Sequence, residues 1–564
     1  MQRQIQLQGP LGSALRNVID NRLKKLDYHL LVQPFAEKMD ADERWRGEFW
    51  GKIVRSACLA YRHNPDSALR KKLDIAVREL LATQDKDGCI SSYPKSQQLT
   101  GWDVWGRKYV LLGLLRYYET VNPSRQVLTS ACRMAKQLLA KIGQNRIVDF
   151  GAHFGLPSGS LLRGLVKLHS LSGEKQFLEE AEKLAASGCN HLHHLFQAAA
   201  QGVPPAELAD GKAYEMTSCF DGLLSLNAIK PNPMYQQAVL NYYQLVRDRE
   251  LFITGGGGLK DLNGEFWYEG TTRQTWDNVG ALGETCVTVT WLRFCQHLLR
   301  ATNDATIADE MERSFYNALL GAVKPDGSSF MHRNPTPLAG ASFRYTPPPQ
   351  IAGFGDHDCC LAQGPEGLAL APGFIARMDG RALVFDGYED SLVNFTTPGG
   401  QQATWRIGGG YPMNGEITLT LTMSRPENFP VRLRIPGWAE GAELTYGRTV
   451  RKGAPGTYVT LQREWKNDTR LELSLPLQTR AVLAPGDARH VAWIRGPLVL
   501  ARDSRLGKLD TPVAGKLTQD KALPSRPGFL LLRKVVNKDV LCDYASAGNL
   551  FDPDNRLRVW LPLA

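Results

Sequence analysis

The stretch LRKKLDIAVRELL, residues 69–81, decides the fold of the first part of the chain. Its apolar side chains recur at helical spacing, and the NPDS segment before it suits a helix start; they are Leu69, Leu73, Val77, Leu80 and Leu81. The same periodicity returns at 13–30, 46–62, 110–118, 124–142, 161–168, 174–188, 212–228, 232–247, 284–301 and 307–319. Because no strand-like alternation separates these segments, the sequence predicts paired helices in an α/α toroid.

Beyond residue 375 the period changes to that of short antiparallel strands. Alternating segments are bounded by Gly, Pro, Asn and Asp; examples are EITLTLTM at 416–423, VRLRIPGW at 431–438 and RLELSLPL at 470–477. We therefore expect a helical domain at 16–375, a β-sandwich at 376–480 and a second β-sandwich at 481–564. Residues 1–15 form an N-terminal arm, and we expect its QIQLQ strand to return to the C-terminal sandwich.

Composition excludes several classes of protein. The chain has 564 residues, 43% of them hydrophobic and 22% charged, which is typical of a folded globular protein. The formal charge of +10 is spread without basic blocks, so no nucleic-acid partner is expected. No run of about 18 apolar residues occurs, and the N-terminus lacks a secretory signal. We expect no membrane contact and a cytoplasmic location, or a periplasmic one if the sequence is trimmed; a homodimer stays open.

Cysteine-containing motifs carry the strongest chemical signal. The sequence contains GETCVTVTW at 283–291 and HDCC at 357–360. Glu284 and Cys286 would point to opposite faces of a regular helix, so sharing a ligand requires an extended or helix-entry segment, and Cys359 and Cys360 are expected to need a loop. If the motifs converge, three thiolates and one carboxylate suit a tetrahedral zinc site with one ion per chain. The alternative is that these cysteines are apolar core fillers.

Motifs along most of the chain resemble glycoside hydrolase family 127, the zinc–thiolate β-L-arabinofuranosidases, which are related to family 146. The resemblance rests on ITGGGG at 253–258, GEFWYEG at 264–270, GETCVTVTW, DCC, RIPGW at 434–438, REWKNDTRLELSLP at 463–476 and IRGPLVLA at 494–501. It implies an (α/α)6 barrel that carries the active site, followed by two β-sandwiches. It also implies a retaining glycosidase that removes a terminal sugar from a glycoside or oligosaccharide.

The resemblance also implies roles for individual residues. Glu284, Cys286 and Cys360 would hold zinc, and Cys359 would be both a zinc neighbour and the nucleophile. The family places a glutamate before the ETC motif as acid/base; Glu265 in GEFW fits this role, with Glu269 as its competitor.

The sugar-binding residues diverge from the resemblance. Where the family carries histidines, in HELY-like and GHPE-like contexts, this chain reads GWDVWGRKY and GLPSGS, and CCPPN is replaced by CCLAQGP. The resulting candidates for substrate binding are Trp102, Asp103, Ser158, Ser160, Tyr214, Glu215, Asp221 and Gln363, with Trp105, Trp267 and Tyr268 as aromatic platforms. The catalytic residues are present, whereas the residues that would contact the sugar differ.

Two other functions fit parts of the pattern. α/α toroids also host sugar epimerases and polysaccharide lyases, because a fold does not fix its chemistry. The third hypothesis is a carbohydrate-binding protein with a structural zinc site. A second metal cluster in GCNHLHHL at 188–195 and a phosphate loop in the glycines at 255–258 are disfavoured, since neither has the required flanking pattern.

Overall fold

The computed structural model describes residues 3–259, 265–275, 282–335, 342–344, 358–516, 519–536 and 539–564. Its α-helices are α1 (Pro10–Val18), α2 (Tyr28–Glu37), α3 (Gly47–His63), α4 (Ser67–Ala82), α5 (Asp103–Thr120), α6 (Arg125–Ile142), α7 (Leu156–Gly159), α8 (Leu162–Ser172), α9 (Lys175–Ala186), α10 (Leu195–Ala200), α11 (Ala213–Asn227), α12 (Pro233–Leu245), α13 (Thr285–Thr302), α14 (Ala305–Arg313), α15 (Leu320–Ala322) and α16 (Cys359–Ile375). Within the described ranges, no helix combines the length and apolarity that a membrane crossing needs.

Helices α3, α5, α8, α11, α13 and α16 form a closed inner ring. Each contacts the next, and α16 returns to α3. A second helix packs outside each of them: α4 against α3, α6 against α5, α9 against α8, α12 against α11, α14 against α13 and α1 against α16. Inner and outer helices alternate along the chain, as the predicted (α/α)6 barrel requires.

Local sequence explains where these helices begin and end. Asp66 caps α4 by accepting a hydrogen bond from the Leu69 amide at 2.8 Å, and the predicted apolar residues of that helix are buried except Leu81, which is half-buried. Gly173 ends α8 in the left-handed conformation, with φ of 75°, as the sequence predicts. Helix α16 is mostly apolar, and Gly373 is its one residue that is not buried. It is therefore a core helix of the barrel.

The middle domain is a sandwich of two sheets. The first contains β1 (Arg3–Leu7), β8 (Ser391–Thr396), β9 (Gln402–Gly408), β10 (Glu416–Met423), β15 (Arg470–Ser474), β12 (Glu443–Tyr446) and β13 (Thr449–Lys452), in that order. The second contains β14 (Thr457–Trp465), β11 (Glu427–Ile435), β7 (Ala382–Phe385) and β6 (Ala376–Asp379). Trp405 and Trp465 meet edge to face between them, with centroids 5.5 Å apart.

The N-terminal strand differs from our expectation in its partner. β1 pairs with β8 in antiparallel register, with Ile5 opposite Val393, so it completes the middle sandwich rather than the C-terminal one. Ile5 is fully buried, and the Ile5 amide also donates to Nδ1 of His63 at 3.2 Å. The arm therefore joins the sheet beside the helical barrel, where its alternating apolar residues find a core.

The C-terminal strands form one hydrogen-bonded sheet around β16 (Thr479–Ala484), β17 (Asp487–Arg495), β18 (Leu498–Asp503), β21 (Asp539–Asp543), β20 (Leu532–Val536) and β19 (Lys521–Ala522), joined by β22 (Arg556–Arg558), β23 (Leu561–Pro562) and β5 (Ser342–Phe343). Separate apolar clusters lie around Trp560 and around Trp493. The antiparallel β-domains that follow the helical domain confirm the predicted fold class. The exact domain boundaries stay a prediction.

Candidate active site

Two helix starts bring the cysteine motifs together. A short sheet of β2 (Gly258–Leu259), β3 (Leu282–Glu284) and β4 (Arg333–Pro335) leads into α13, so Glu284 is extended, with φ of −89° and ψ of 135°, and Cys286 lies in the first helical turn. This is the helix-entry geometry expected for that motif. Cys359 and Cys360, expected in a loop, are instead the first residues of α16, because Asp358 caps that helix through the Leu361 amide at 2.7 Å.

The four predicted metal ligands converge at this junction. Sγ of Cys360 lies 3.3 Å from Oε1 of Glu284 and 3.4 Å from Sγ of Cys286. Sγ of Cys359 lies 3.8 Å from the same Glu284 oxygen and 3.8 Å from the Cys360 sulfur. All four side chains are buried. The arrangement brings three thiols and one carboxylate to one point.

His332 is a fifth member of the cluster, and sequence reasoning missed it. Its Nδ1 atom lies 3.7 Å from Sγ of Cys359, and its Nε2 atom lies 3.9 Å from Oε1 of Glu284. The β3–β4 pairing places it there, because Glu284 stands opposite Arg333 in the register. A single histidine in MHRN at 331–334 has no spacing relation to either cysteine motif, so only the tertiary structure reveals its place.

These donors fit a metal ion. Ligand atoms of Glu284, His332, Cys359 and Cys360 all lie within 4.8 Å of one another, and no second cluster of this kind occurs in the described ranges. Oε2 of Glu284 is buried and has no hydrogen-bond partner there. A buried carboxylate oxygen left without a partner is costly, and a cation would remove that cost.

Electrostatics at the cluster favour a thiolate at Cys359. Hydrogen bonds from the Cys286 and Cys360 thiols, with the charge of His332, hold the pKa of Cys359 well below its ordinary value. Burial raises the pKa of Cys286 and of Cys360 well above it. Burial alone would lower the pKa of His332, but the Cys359 thiolate and the Asp358 carboxylate raise it. The positive end of the α16 dipole adds to the stabilisation of negative charge.

The two candidate acids occupy different places. Oε1 of Glu265 lies 3.9 Å from Sγ of Cys359, and Oε2 of Glu265 accepts a hydrogen bond from Lys212. Glu269 has a left-handed backbone, with φ of 63°, and pairs with Arg249 at the partly exposed outside of the segment. Glu265 is therefore the one of the two that reaches the thiol cluster.

A buried group of charges continues the pocket from Glu265 toward the start of α11. Glu215 is 1% exposed, and its Oε2 atom has no hydrogen-bond partner among the described residues. Burial raises the pKa of Glu215 to about 7; the negative charge of Glu265 adds to the rise, and Lys212 opposes it. This carboxyl group is one of the predicted substrate-binding residues, and one of its oxygens is buried without a partner in the described ranges.

The other wall of the pocket is aromatic and cationic. Lys52 forms a buried ion pair with Glu48 at 2.6 Å, and its ammonium lies 4.9 Å from the ring centroid of Tyr214. Tyr214 bonds Tyr109 through the hydroxyl groups, and its hydroxyl lies 3.4 Å from Oε1 of Gln363. The indole of Trp105 donates to Glu48 and packs edge to face on Tyr214 with centroids 5.1 Å apart. Neither Glu48 nor Lys52 carried a sequence signal, since both lie on an ordinary amphipathic helix.

Several predicted substrate-binding residues make internal contacts instead, which corrects the sequence-based assignment. Both carboxylate oxygens of Asp103 are engaged, since Oδ1 accepts from Ser91 and from Nε of Arg107 at 3.0 Å, and Oδ2 accepts from the Leu99 amide at 2.8 Å. The hydroxyl of Ser158 donates to the Phe150 carbonyl at 2.8 Å. Buried polar groups need such partners, so these side chains support the wall and do not line it.

The remaining candidates follow the same pattern. The indole of Trp267 donates to the Tyr242 hydroxyl at 3.0 Å, and the Ser160 hydroxyl donates to the Pro157 carbonyl at 2.5 Å. The half-buried ring of Tyr268 instead lies 5.7 Å from the guanidinium of Arg273. Asp221 is buried in ion pairs with Arg163 and Arg293. Trp267 is 2% exposed, so its ring is core rather than a sugar platform.

Trp102 remains the aromatic candidate at the pocket rim. It is half-buried, and its ring lies 6.2 Å from Trp45 and 5.7 Å from His153, measured between centroids. His153 also contacts Phe266, beside Glu265, and bonds Asp210 through Nδ1 at 2.7 Å. In contrast, His194 caps α10 by accepting from the Gln197 amide, and its motif at 188–195 forms no metal cluster within the described ranges.

Comparison with known proteins identifies the family. The sequence matches the family described as beta-L-arabinofuranosidase, GH127 catalytic domain, over residues 13–372, and the GH127 middle domain over residues 384–477. The non-reducing end beta-L-arabinofuranosidase of Bifidobacterium longum subsp. longum is 24% identical over 504 residues, covering 79% of this chain and 74% of the relative.

Solved structures show the same fold. A GH127 beta-L-arabinofuranosidase from Geobacillus stearothermophilus T6 superposes with a TM-score of 0.76 at 17% identity, covering 100% of both chains. A second GH127 beta-arabinofuranosidase gives a TM-score of 0.79 at 18% identity, covering 100% of this chain and 97% of that one. Because the catalytic-domain match alone spans more than half of the sequence, the chain belongs to glycoside hydrolase family 127 and is a glycoside hydrolase that removes a terminal sugar.

Proposed function

We propose that this enzyme hydrolyses a terminal glycosidic bond with retention of configuration, using Cys359 as the nucleophile and Glu265 as the acid/base. One observation carries the proposal: the Cys359 sulfur lies 3.9 Å from a Glu265 oxygen and also belongs to the thiol–carboxylate–imidazole cluster. A nucleophile and an acid in one pocket are the two groups that a retaining glycosidase needs.

The proton and bond changes balance across two steps. In the first, the Cys359 thiolate forms a bond to the anomeric carbon while the glycosidic C–O bond breaks, and Glu265 gives its proton to the leaving oxygen. In the second, Glu265 takes a proton from water, the water oxygen bonds to the anomeric carbon, and Cys359 leaves again as thiolate. Lys212, bonded to the other oxygen of Glu265, orients the carboxyl group.

Zinc is the metal that this donor set suits best. Glu284, Cys286, Cys359 and Cys360 would hold it, and His332 is a further nitrogen donor within reach. Bound zinc would keep the coordinated sulfur as thiolate at neutral pH. His332 and the start of α16 would favour the same charge state from the protein side.

The separation of the two catalytic groups supports retention. Retaining glycosidases bring their two groups to about 5–5.5 Å, whereas inverting enzymes leave about 6.5–9.5 Å for a water molecule between them. The Cys359 sulfur and the nearest Glu265 oxygen lie 3.9 Å apart, which is closer to the spacing of retaining enzymes than to that of inverting ones. Direct attack by sulfur is therefore the favoured geometry.

The nature of the sugar follows less directly from the family. The relatives compared above are named as β-arabinofuranosidases, two of them as β-L-arabinofuranosidases, but this chain replaces the histidines that the resemblance leads us to expect at the sugar. Its pocket offers the free oxygen of Glu215, the Trp102 ring and buried lysines. We propose that it prefers another glycoside, such as a pyranose or a modified pentose whose face stacks on an aromatic ring.

Comparing Cys359→Ser with the wild type tests the mechanism. We expect the variant to fold, to retain zinc through the remaining donors and to lose turnover, while the wild-type product, followed by NMR, first forms with the substrate's anomeric configuration. The matched control is Cys295→Ser, which changes a buried cysteine on α13, and this variant should remain active. An inverted product, or full turnover by Cys359→Ser, would refute the mechanism. Loss of fold together with zinc in Cys359→Ser would instead favour a purely structural metal site.

A further inference from the structure

A second, strongly cationic cavity lies at the other end of the barrel. It has a volume of about 100 Å³ and is lined by the middle and later turns of α3, α5, α13 and α16 and by the first turns of α8. Glu366 in its wall follows Cys359 by seven residues on α16, which corresponds to about 10 Å along a helix. The cavity is therefore separate from the thiol cluster.

The lining has a large excess of positive charge. Seven arginine or lysine side chains and two glutamates contribute to it, which leaves a net charge of +5 with the histidines neutral. On the buried side, Arg55 and Arg293 share the carboxylate of Glu366. Nε of Arg55 is buried and has no hydrogen-bond partner among the described residues.

On the exposed side, four cations have one carboxylate between them. Within the described part of the chain, Arg62 and Arg300 form no salt bridge, whereas Arg116 and Lys167 share the single carboxylate of Glu119. Like charges held this close repel one another, so the free protein bears an electrostatic cost that a bound anion would relieve.

The ends of the helices do not account for this excess. Cations stabilise helix C-termini, and four inner helices, α3, α5, α13 and α16, end here, each with a partial charge of about −0.5. Together with the carboxylate of Asp221, which pairs with Arg163 and Arg293, they offset about three of the five net positive charges of the lining. A positive field remains, and it faces a neighbouring groove of about 680 Å³ that shares Arg62, Arg116 and Glu119 with the cavity. The groove gives an ion from solvent a route to the site.

We infer that this cavity binds a tetrahedral oxyanion of the phosphate or sulfate class, held by Arg62, Arg116 and Arg300. Guanidinium groups bind such anions through paired N–H donors, and several of them at one site match an anion of charge −2. The volume suits a small ion rather than a sugar chain.

Isothermal titration of the purified enzyme with inorganic phosphate at low ionic strength and neutral pH tests the site. We expect one saturable phosphate per chain, and we expect Arg62→Ala and Arg300→Ala each to weaken binding about tenfold, as the loss of a charge-assisted hydrogen bond does. Arg448→Ala, which removes an exposed cation from the β12–β13 turn, is the control for general charge and should bind as the wild type does. A sugar phosphate is used as a second titrant to show whether the natural ligand is free phosphate or a phosphorylated metabolite. We expect free phosphate to bind more tightly.

A second readout separates this cavity from the active site. Phosphate should raise the Tm of the wild type and of Cys359→Ser alike, and it should leave the Tm of Arg62→Ala/Arg300→Ala unchanged. Equal weakening by Arg448→Ala, phosphate binding that the double variant retains, or an absence of saturable binding would each overturn the inference. If the sugar phosphate binds more tightly and the same arginine variants weaken its binding, the cavity is still an anion site, but its natural ligand is a phosphorylated metabolite.

Discussion

The sulfur of Cys359 lies 3.9 Å from a carboxylate oxygen of Glu265, although 94 residues separate them in the chain. Each is anchored near the start of an inner helix: Cys359 begins α16, and the Glu265 carbonyl accepts from the amide of Ala213, the first residue of α11, at 2.6 Å. A bridge between Lys212 and Phe266 strengthens the second anchor. The barrel thus fixes both reacting groups through backbone contacts.

Glu265→Gln should slow the hydrolysis of substrates with poor leaving groups more than that of substrates with good leaving groups. Hydrolysis of substrates with poor leaving groups should slow by about 10²–10⁴, because these need a proton in the transition state, while activated aryl glycosides should be affected less. Steady-state kcat/KM on both substrate types measures this. Glu269→Gln is the control and should be near wild type, since Glu269 is paired with Arg249. Equal losses on both substrate types would move the acid role to another carboxylate.

Purified enzyme should contain one zinc per chain, and Cys286→Ala should lose most of it. The expectation follows from the 3.4 Å contact between the Cys286 and Cys360 sulfurs, which places both in one donor set. Elemental analysis of the dialysed protein gives the ratio, with Cys295→Ala as the control on the same helix. Unchanged zinc in Cys286→Ala would remove that residue from the site.

Asp103→Ala should lower stability rather than substrate affinity. The substitution leaves Arg107 buried without its partner, and breaking a buried ion pair in this way costs about 3–5 kcal/mol. Thermal unfolding should show a clear fall in Tm, with KM close to that of the wild type. Glu180→Ala breaks the exposed pair with Lys183 and should leave the Tm close to that of the wild type. A raised KM with unchanged Tm would return Asp103 to the substrate site.

Glu215 should make folding stability depend on pH. Its pKa is raised from 4.5 to about 7 in the folded protein, so folding favours the protonated form. The corresponding stabilisation is complete below the unfolded pKa and is lost as pH rises through about 7. The difference in Tm between Glu215→Gln and the wild type should therefore shift in favour of the variant as the pH increases from 5 to 8. Parallel Tm curves for the two proteins would contradict this.

The enzyme should be a poor β-L-arabinofuranosidase. We expect kcat/KM on nitrophenyl β-L-arabinofuranoside below about 10⁴ M⁻¹s⁻¹, the lower end of the ordinary enzyme range, and higher values on another glycoside in a screen. A value at or above that level would contradict the prediction. His153→Ala would then show whether that histidine, which lies beside Trp102, supplies the missing contacts to the sugar.

Periodic and capping signals in the sequence predicted most of the fold. Leu69, Leu73 and Gly173 act locally, so their roles can be inferred from their neighbours. The start of α16 at Cys359 was missed because an Asp cap before two cysteines resembles a turn. Roles that depend on a distant partner, such as those of His332 and Asp103, were not visible, since β-strand pairing and buried hydrogen bonds decide them.

The pairing of the first strand with β8 has a consequence for biosynthesis. The partner of β1 follows it by almost 400 residues, so the middle sheet stays incomplete until the barrel has left the ribosome. β1 is also the outermost strand of that sheet. Removing it would expose the SLVNFT backbone of β8 as an unprotected edge, which is a template for aggregation between nascent chains.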